Sequence, residues 1–174
     1  MKHKNLALTA ITAAVICVFS PISLPLGAIP ISLSTLAIFL VSCISPPRRS
    51  IAAVIIYILI GAAGAPVFSG FMGGFQQIAG LTGGYIIGYI PCAFAVSFFT
   101  NKFGKSKIIF PVSMIIGTLI CYFCGTAWYS LQTDTAFTAS LAVCVLPFVL
   151  GDIIKIAAAS AMGIMMKKRL NKFI

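Results

Sequence analysis

Two residues of opposite charge stand in a run that is otherwise built for lipid. Asp152 and Lys155 lie within "LPFVLGDIIKIAAASAMGIM", Leu146 to Met165, with no other acidic or basic side chain beside them. Three positions apart on a helix they project about 60° from one another, on one face and within reach of each other or of a shared partner. A carboxylate accepts hydrogen bonds and an ammonium donates them, so together they can hold a small polar solute. The weaker alternatives are that they neutralise one another and order a helix bundle, or that the lysine snorkels towards headgroups. Snorkelling suits Lys155 poorly, because Met165 lies about 15 Å further along the helix at 1.5 Å per residue. Either charge at the bilayer centre costs about 2.5–3.5 kcal/mol, which makes such residues functional candidates by default.

Other chemistry is thin. The chain has two acidic residues in all, and the second, Asp134, falls in a predicted loop. A paired-carboxylate mechanism is therefore not expected unless that loop folds onto Asp152. The single histidine, His3, sits beside the amino terminus, which leaves no Ser/His pair at membrane depth and too little for a histidine metal site. Six cysteines are scattered through apolar runs; Cys121-Tyr-Phe-Cys124 has C-x-x-C spacing without a βαβ context and reads as buried packing. Gly104-Lys105-Ser106 resembles the end of a phosphate loop, but Phe99 occupies the first glycine's position and no strand precedes it. No catalytic residue, metal or cofactor is expected. Uphill transport, if the chain performs it, must draw on a partner or an ion gradient.

The elements that position Asp152 and Lys155 follow from composition. The 174 residues are 60% hydrophobic and 8% charged, against roughly 25% charged in a soluble domain, and the mean hydropathy is +1.12. So few charges cannot cover a water-facing surface, and the expectation is an all-α integral membrane protein. Apolar runs of bilayer-spanning length, about 17–25 residues, occur at Asn5 to Ser20, Ile31 to Ser45, Ser50 to Ala65, Thr82 to Thr100, Ile108 to Ala127 and Thr138 to Met166. They predict a single membrane domain, residues 1–174, of six transmembrane helices. The first run has the basic start and apolar core of a signal peptide, but no A-x-A-like site follows, so it is read as a retained helix.

The formal net charge of +10 raises the question of nucleic acid, which the placement of the cations answers. They cluster at Lys2 and Lys4, at Arg48 and Arg49, at Lys102, Lys105 and Lys107, and at Lys167, Lys168, Arg169 and Lys172, with Lys155 alone outside. Every cluster falls at the amino terminus or after an even-numbered span. Loops one, three and five (Pro21 to Pro30, Pro66 to Leu81, Trp128 to Phe137) contain neither Lys nor Arg. By the positive-inside rule both termini and all clusters are cytoplasmic. The basic residues are topology signals and contacts for lipid or a cytoplasmic partner, and no nucleic-acid partner is expected.

The outer loops are unusual in the other direction. "GAAGAPVFSGFMGGFQQIAGLTGGYIIGY" crowds glycines around a segment without a charge. Glycine permits tight turns and close backbone approach. Such a loop can fold back as a lid over a small-molecule site where protein covers it. Close helix packing, as at Gly84-x-x-x-Gly88, is the alternative, and both can hold. Pro147 is expected to open the last span near its outer end, where solute would enter.

The chain resembles the BioY family, biotin-specific substrate-binding membrane subunits (S components) of energy-coupling-factor (ECF) transporters, over essentially its whole length. "GAAGAPVFSGFMGGFQQIAGLTGGYIIGYIP" is similar to that family's glycine-rich signature, and "GDIIK" to its sixth-helix motif. Leu81 departs from the pattern, standing where the family commonly has proline before Thr-Gly-Gly. Ala10-Ile-Thr-Ala-Ala14 is similar to the A-x-x-x-A pattern by which S components dock on their transmembrane coupling subunit, small residues allowing close helix approach.

The resemblance implies an S-component fold in a prokaryotic plasma membrane and biotin as ligand. Asp152 would accept from a ureido N–H, while Lys155 would donate to the ureido oxygen or pair with the valerate carboxylate. Tyr85, Gln77 and Thr82, beside the lid, are the next implied ligand contacts; Phe68, Phe75 and Tyr57 are ligand cover or packing. Partners would be the coupling subunit and two cytoplasmic ATPases, with the vitamin bound from outside and released inward. A self-sufficient carrier, or an S component for another small vitamin, is the alternative.

Overall fold

The computed structural model describes residues 2–24, 29–104 and 106–173. Lys105 and part of loop one lie outside the described residues, as do the side chains of Lys2, Lys4 and Lys172. The chain is a helical bundle of α1 (Lys2–Phe19), α2 (Ser34–Ile44), α3 (Pro47–Ala62), α4 (Phe75–Ala79), α5 (Gly83–Phe103), α6 (Ile109–Thr133), α7 (Phe137–Cys144) and α8 (Leu146–Phe173). A short antiparallel ladder, β1 (Ser23–Leu24) with β2 (Ile31–Ser32), and one 3-10 turn at Ser69–Phe71 complete it.

Among the described residues α5, α6 and α8 are long and apolar enough to cross a membrane. Three of the predicted runs are modified by tertiary structure. The predicted second span loses its start to β2, leaving α2 with 11 residues, about 17 Å of helix against a hydrocarbon core of about 30 Å. The fifth continues beyond Ala127 to Thr133, so Trp128 is helical rather than the start of a loop, and Asp134 closes the helix with left-handed backbone, φ 50°. The predicted sixth span is not one helix but two, α7 and α8, broken at Val145. Pro147 accounts for the break: it cannot donate to Val143 and its ring crowds that carbonyl, so the helix restarts with Pro147 in a first turn where no donor is required. The amide of Phe148 turns back to Val145 O at 2.9 Å. Cys144 O is thereby freed.

The most extensive helix contact joins α5 to α6, and it rests on small residues. A Cβ added at Gly84 would collide with Trp128 and the Cys124 carbonyl, and one at Gly88 would press on Cys124. The close-packing reading of Gly84-x-x-x-Gly88 is therefore realised. Larger residues fill the centre: Phe39, Tyr57, Val96 and Met114 are fully buried.

The two ends of the bundle differ in kind. At one, Arg49 donates to Asn5 Oδ1 at 3.0 Å, Asn101 donates to Ser45 O at 2.9 Å, and Lys167 donates to Thr100 O. These contacts bring the start of α1, the α2–α3 and α5–α6 turns and the end of α8 together, so the basic clusters share one end. At the other lie the β1–β2 ladder, the glycine-rich segment and the α6–α7 turn.

Candidate functional site

The apolar run that carries Asp152 and Lys155 forms α8, and the predicted geometry is present: Lys155 Nζ lies 3.0 Å from Asp152 Oδ1. Both residues are buried, 5% and 8% exposed. The ammonium turns inward, so it does not snorkel. Two residues that sequence reasoning did not single out complete the arrangement. Tyr122, from α6, donates its hydroxyl to Asp152 Oδ2 at 2.6 Å, and Lys155 Nζ donates to Thr35 Oγ1, at the start of α2, at 3.3 Å. Each carboxylate oxygen thus has a donor, which is what a buried charge requires.

Above this cluster opens a cavity of about 380 Å³, within the roughly 300–1,000 Å³ of small-molecule sites. Asp152, Lys155, Tyr122 and Thr35 line one part of it; Tyr57, Tyr85, Tyr89, Ile86 and Phe148 supply aromatic and aliphatic wall. Ser69, Met72, Gln76, Gln77, Leu81 and Thr82 line it from the glycine-rich segment. The distribution is a polar base, an apolar flank and a neutral polar rim.

The glycine-rich segment is a lid folded back over the bundle and tied on both sides. Gly70 N–H donates to Pro21 O at 3.0 Å and Gly74 N–H to Gly61 O at 2.7 Å. Gly70 and Gly74 have φ of 72° and 97°, values that exclude most other residues. Phe68 is buried over Gly61 and meets Tyr57 edge-on, ring centroids 5.5 Å apart. On the far side Trp128 Nε1 donates to Gly80 O and Gln132 Nε2 to Ala79 O, each at 2.9 Å. The extension of α6 past Ala127 supplies both of these ties.

The sequence-derived candidates converge here. Asp152, Lys155, Tyr85, Gln77 and Thr82 all line the cavity. Two have their hydrogen-bonding capacity partly committed: Tyr85 donates across the helix break to Cys144 O at 2.5 Å, and Thr82 donates to Gln77 O at 3.2 Å. Tyr85 reaches Cys144 because its ring lies against Gly125 of α6, where a side chain would block it. It offers the cavity a ring face and oxygen lone pairs, not a free proton. Tyr57 and Phe68 belong to the wall, whereas Phe75 does not line the cavity and is 70% exposed. Ala10 and Ala14 lie well away, exposed with Ile11 and Val18 on one face of α1, while Ala13 and Ile16 face the core.

Residues 1–172 match the family model described as the BioY family. The chain belongs to the BioY family. It is 35% identical over 159 residues to a probable biotin transporter BioY of Pyrococcus horikoshii, covering 91% of this chain and 93% of that protein. It is 31% identical to biotin transporter BioY2 of Lactococcus lactis (98% and 93%) and 33% identical to biotin transporter BioY of Thermotoga maritima (95% and 96%). Its fold is similar to that of the crystallised S-component for biotin from an ECF-type ABC transporter, with a TM-score of 0.88 at 25% identity, covering 96% of this chain and 92% of that one. BioY proteins are membrane transport subunits and not enzymes. In this BioY chain the cavity joins the two motifs that carried the resemblance, the glycine-rich segment as lid and "GDIIK" as base. Leu81, the one departure noted from the pattern, sits on the rim, and its N–H makes no backbone hydrogen bond among the described residues.

Proposed function

We propose that this chain is the biotin-binding membrane subunit of an ECF-type vitamin uptake transporter. It comprises one domain that crosses a prokaryotic plasma membrane six times, with both termini in the cytoplasm. The observation that carries the reading is the buried Asp152–Lys155 pair at the base of a lidded cavity in a BioY chain. Asp152 accepts from a ureido N–H of biotin. Lys155, whose Nζ makes two hydrogen bonds, has a third N–H for the ureido oxygen. Tyr85 and Phe148 flank the thioether ring, and Gln77 and Thr82 meet the tail under the lid.

The sorting of basic clusters to one end supports a cytoplasmic position for that end. The cavity then opens towards the outside, where the vitamin enters. Ala10 and Ala14 present a small-residue face to the transmembrane coupling subunit, whose two cytoplasmic ATPases supply the energy that this chain has no phosphate loop to harvest. Anionic headgroups meet the cationic end. Calorimetric titration of the purified protein with biotin is the direct test: binding tighter than micromolar is expected, and its absence refutes the assignment.

A further inference from the structure

A carboxylate in this cavity would find one cation among the described lining residues, Lys155, and that charge is already compensated. Asp152 and Lys155 are the sole charged residues among those lining it, and they compensate one another at 3.0 Å. A ligand carboxylate brought to Lys155 would also meet the Asp152 carboxylate, which repels it. A urea has no net charge and presents both donors and an acceptor, so it suits a compensated pair. The tail must therefore point the other way, towards the lid.

There the polar groups are Gln76, Gln77, Ser69 and Thr82, all neutral. Primary amides and hydroxyls both donate and accept, so they can hydrogen-bond to a carboxamide or an ester as well as to a carboxylate. Gln76 is exposed, so that end of the cavity borders open solvent. Residues 25–28, Pro-Leu-Gly-Ala, lie outside the described residues and contain no ionisable side chain. Asp134, which closes the α6 helix whose Gln132 is tied to Ala79 O of the lid, is acidic and has the wrong sign to hold a carboxylate.

We propose that the site selects the ureido-thioether ring system and is indifferent to the charge of the tail, so that it takes neutral tail derivatives of biotin as well as the acid. This rests on the function proposed above. Where a buried cation holds a ligand carboxylate, neutralising that carboxylate weakens binding by on the order of thirtyfold or more. Here the loss is expected to stay within tenfold.

The experiment uses the unaltered full-length protein in detergent, titrated with biotin, biotinamide and biotin methyl ester. Amide and ester both binding within tenfold of biotin is the expected result. Biotin binding normally with either derivative more than tenfold weaker overturns the inference and leaves the transport assignment standing. Failure of biotin itself to bind overturns both.

Discussion

Asp152 and Lys155 invite a double-mutant cycle, because neutralising one another and binding a ligand predict different outcomes when both charges are removed together. Unit charges 3.0 Å apart attract by about 5–6 kcal/mol at an effective dielectric near 20. Much of that is offset by the desolvation of two buried ions, so the pair adds little net stability relative to an uncharged pair. Removing one partner is another matter, since it strands a buried charge at about 3–5 kcal/mol. Lys155→Met should sit near 3 kcal/mol, because Asp152 keeps the Tyr122 hydroxyl at 2.6 Å. For a chain of this size that is a fall of roughly 6–12 °C in Tm. Asp152→Asn should cost a similar amount, the stranded ammonium keeping Thr35 as its partner. The double variant Asp152→Asn/Lys155→Met carries no stranded charge and should recover most of the lost Tm. Biotin affinity should not recover: loss of a charge-assisted donor and acceptor predicts a decrease of more than a hundredfold, on the order of 3 kcal/mol. Thermal unfolding in detergent followed by calorimetric titration reads both quantities on the same samples. A double variant that binds biotin within threefold of wild type would refute the ligand role. Single variants with unchanged Tm would refute the view that the two charges depend on one another.

Other consequences are smaller in scope. Tyr85→Phe leaves the buried Cys144 carbonyl without its donor and should cost about 1–3 kcal/mol in thermal stability, while changing biotin affinity less than tenfold. Gly84→Leu forces α5 away from Trp128 and the Cys124 carbonyl; a large fall in Tm or loss of folded yield on size-exclusion chromatography is expected. Trp128→Phe removes the lid tie to Gly80 O, worth about 1 kcal/mol, and should speed biotin dissociation roughly fivefold in a chase experiment. Ala14→Leu alters the outward face of α1 and should leave biotin binding intact while reducing co-purification with the coupling subunit and ATPases.

What the sequence makes legible here is whatever violates its surroundings. A carboxylate and an ammonium in an apolar run stand out, as does a loop crowded with glycine, and the alternation of cation clusters marks two ends. Tyr122 violates nothing: in "LICYFCGTAWYS" an aromatic residue belongs in a membrane helix, and only the packing of α6 against α8 turns its hydroxyl towards Asp152. Thr35 is hidden likewise, its partner lying 120 positions away. The polar look of "WYSLQT" suggests a loop, yet α6 continues through it because Trp128 and Gln132 find lid carbonyls. Pro147 announces a disturbance, but its position at Val145 and the use made of it, a carbonyl released to Tyr85, depend on a contact spanning 59 residues. Ile31-Ser32 has the composition of a helix start and becomes a strand because Ser23-Leu24 lies beside it.

The gathering of the basic clusters at one end also bears on how fast the vitamin is captured. Biotin is an anion near neutral pH, and in the orientation proposed above it approaches the end that lacks them, where Asp134 stands exposed at the close of α6. The loops at that end have no Lys or Arg to draw it in. Encounter is then unsteered, with an association rate that stays nearly flat from low to high ionic strength instead of falling steeply as it does for charge-guided ligands. Stopped-flow association at a series of salt concentrations would expose any hidden attraction as a slope. A capture surface of this kind works equally well in fresh water and in brine.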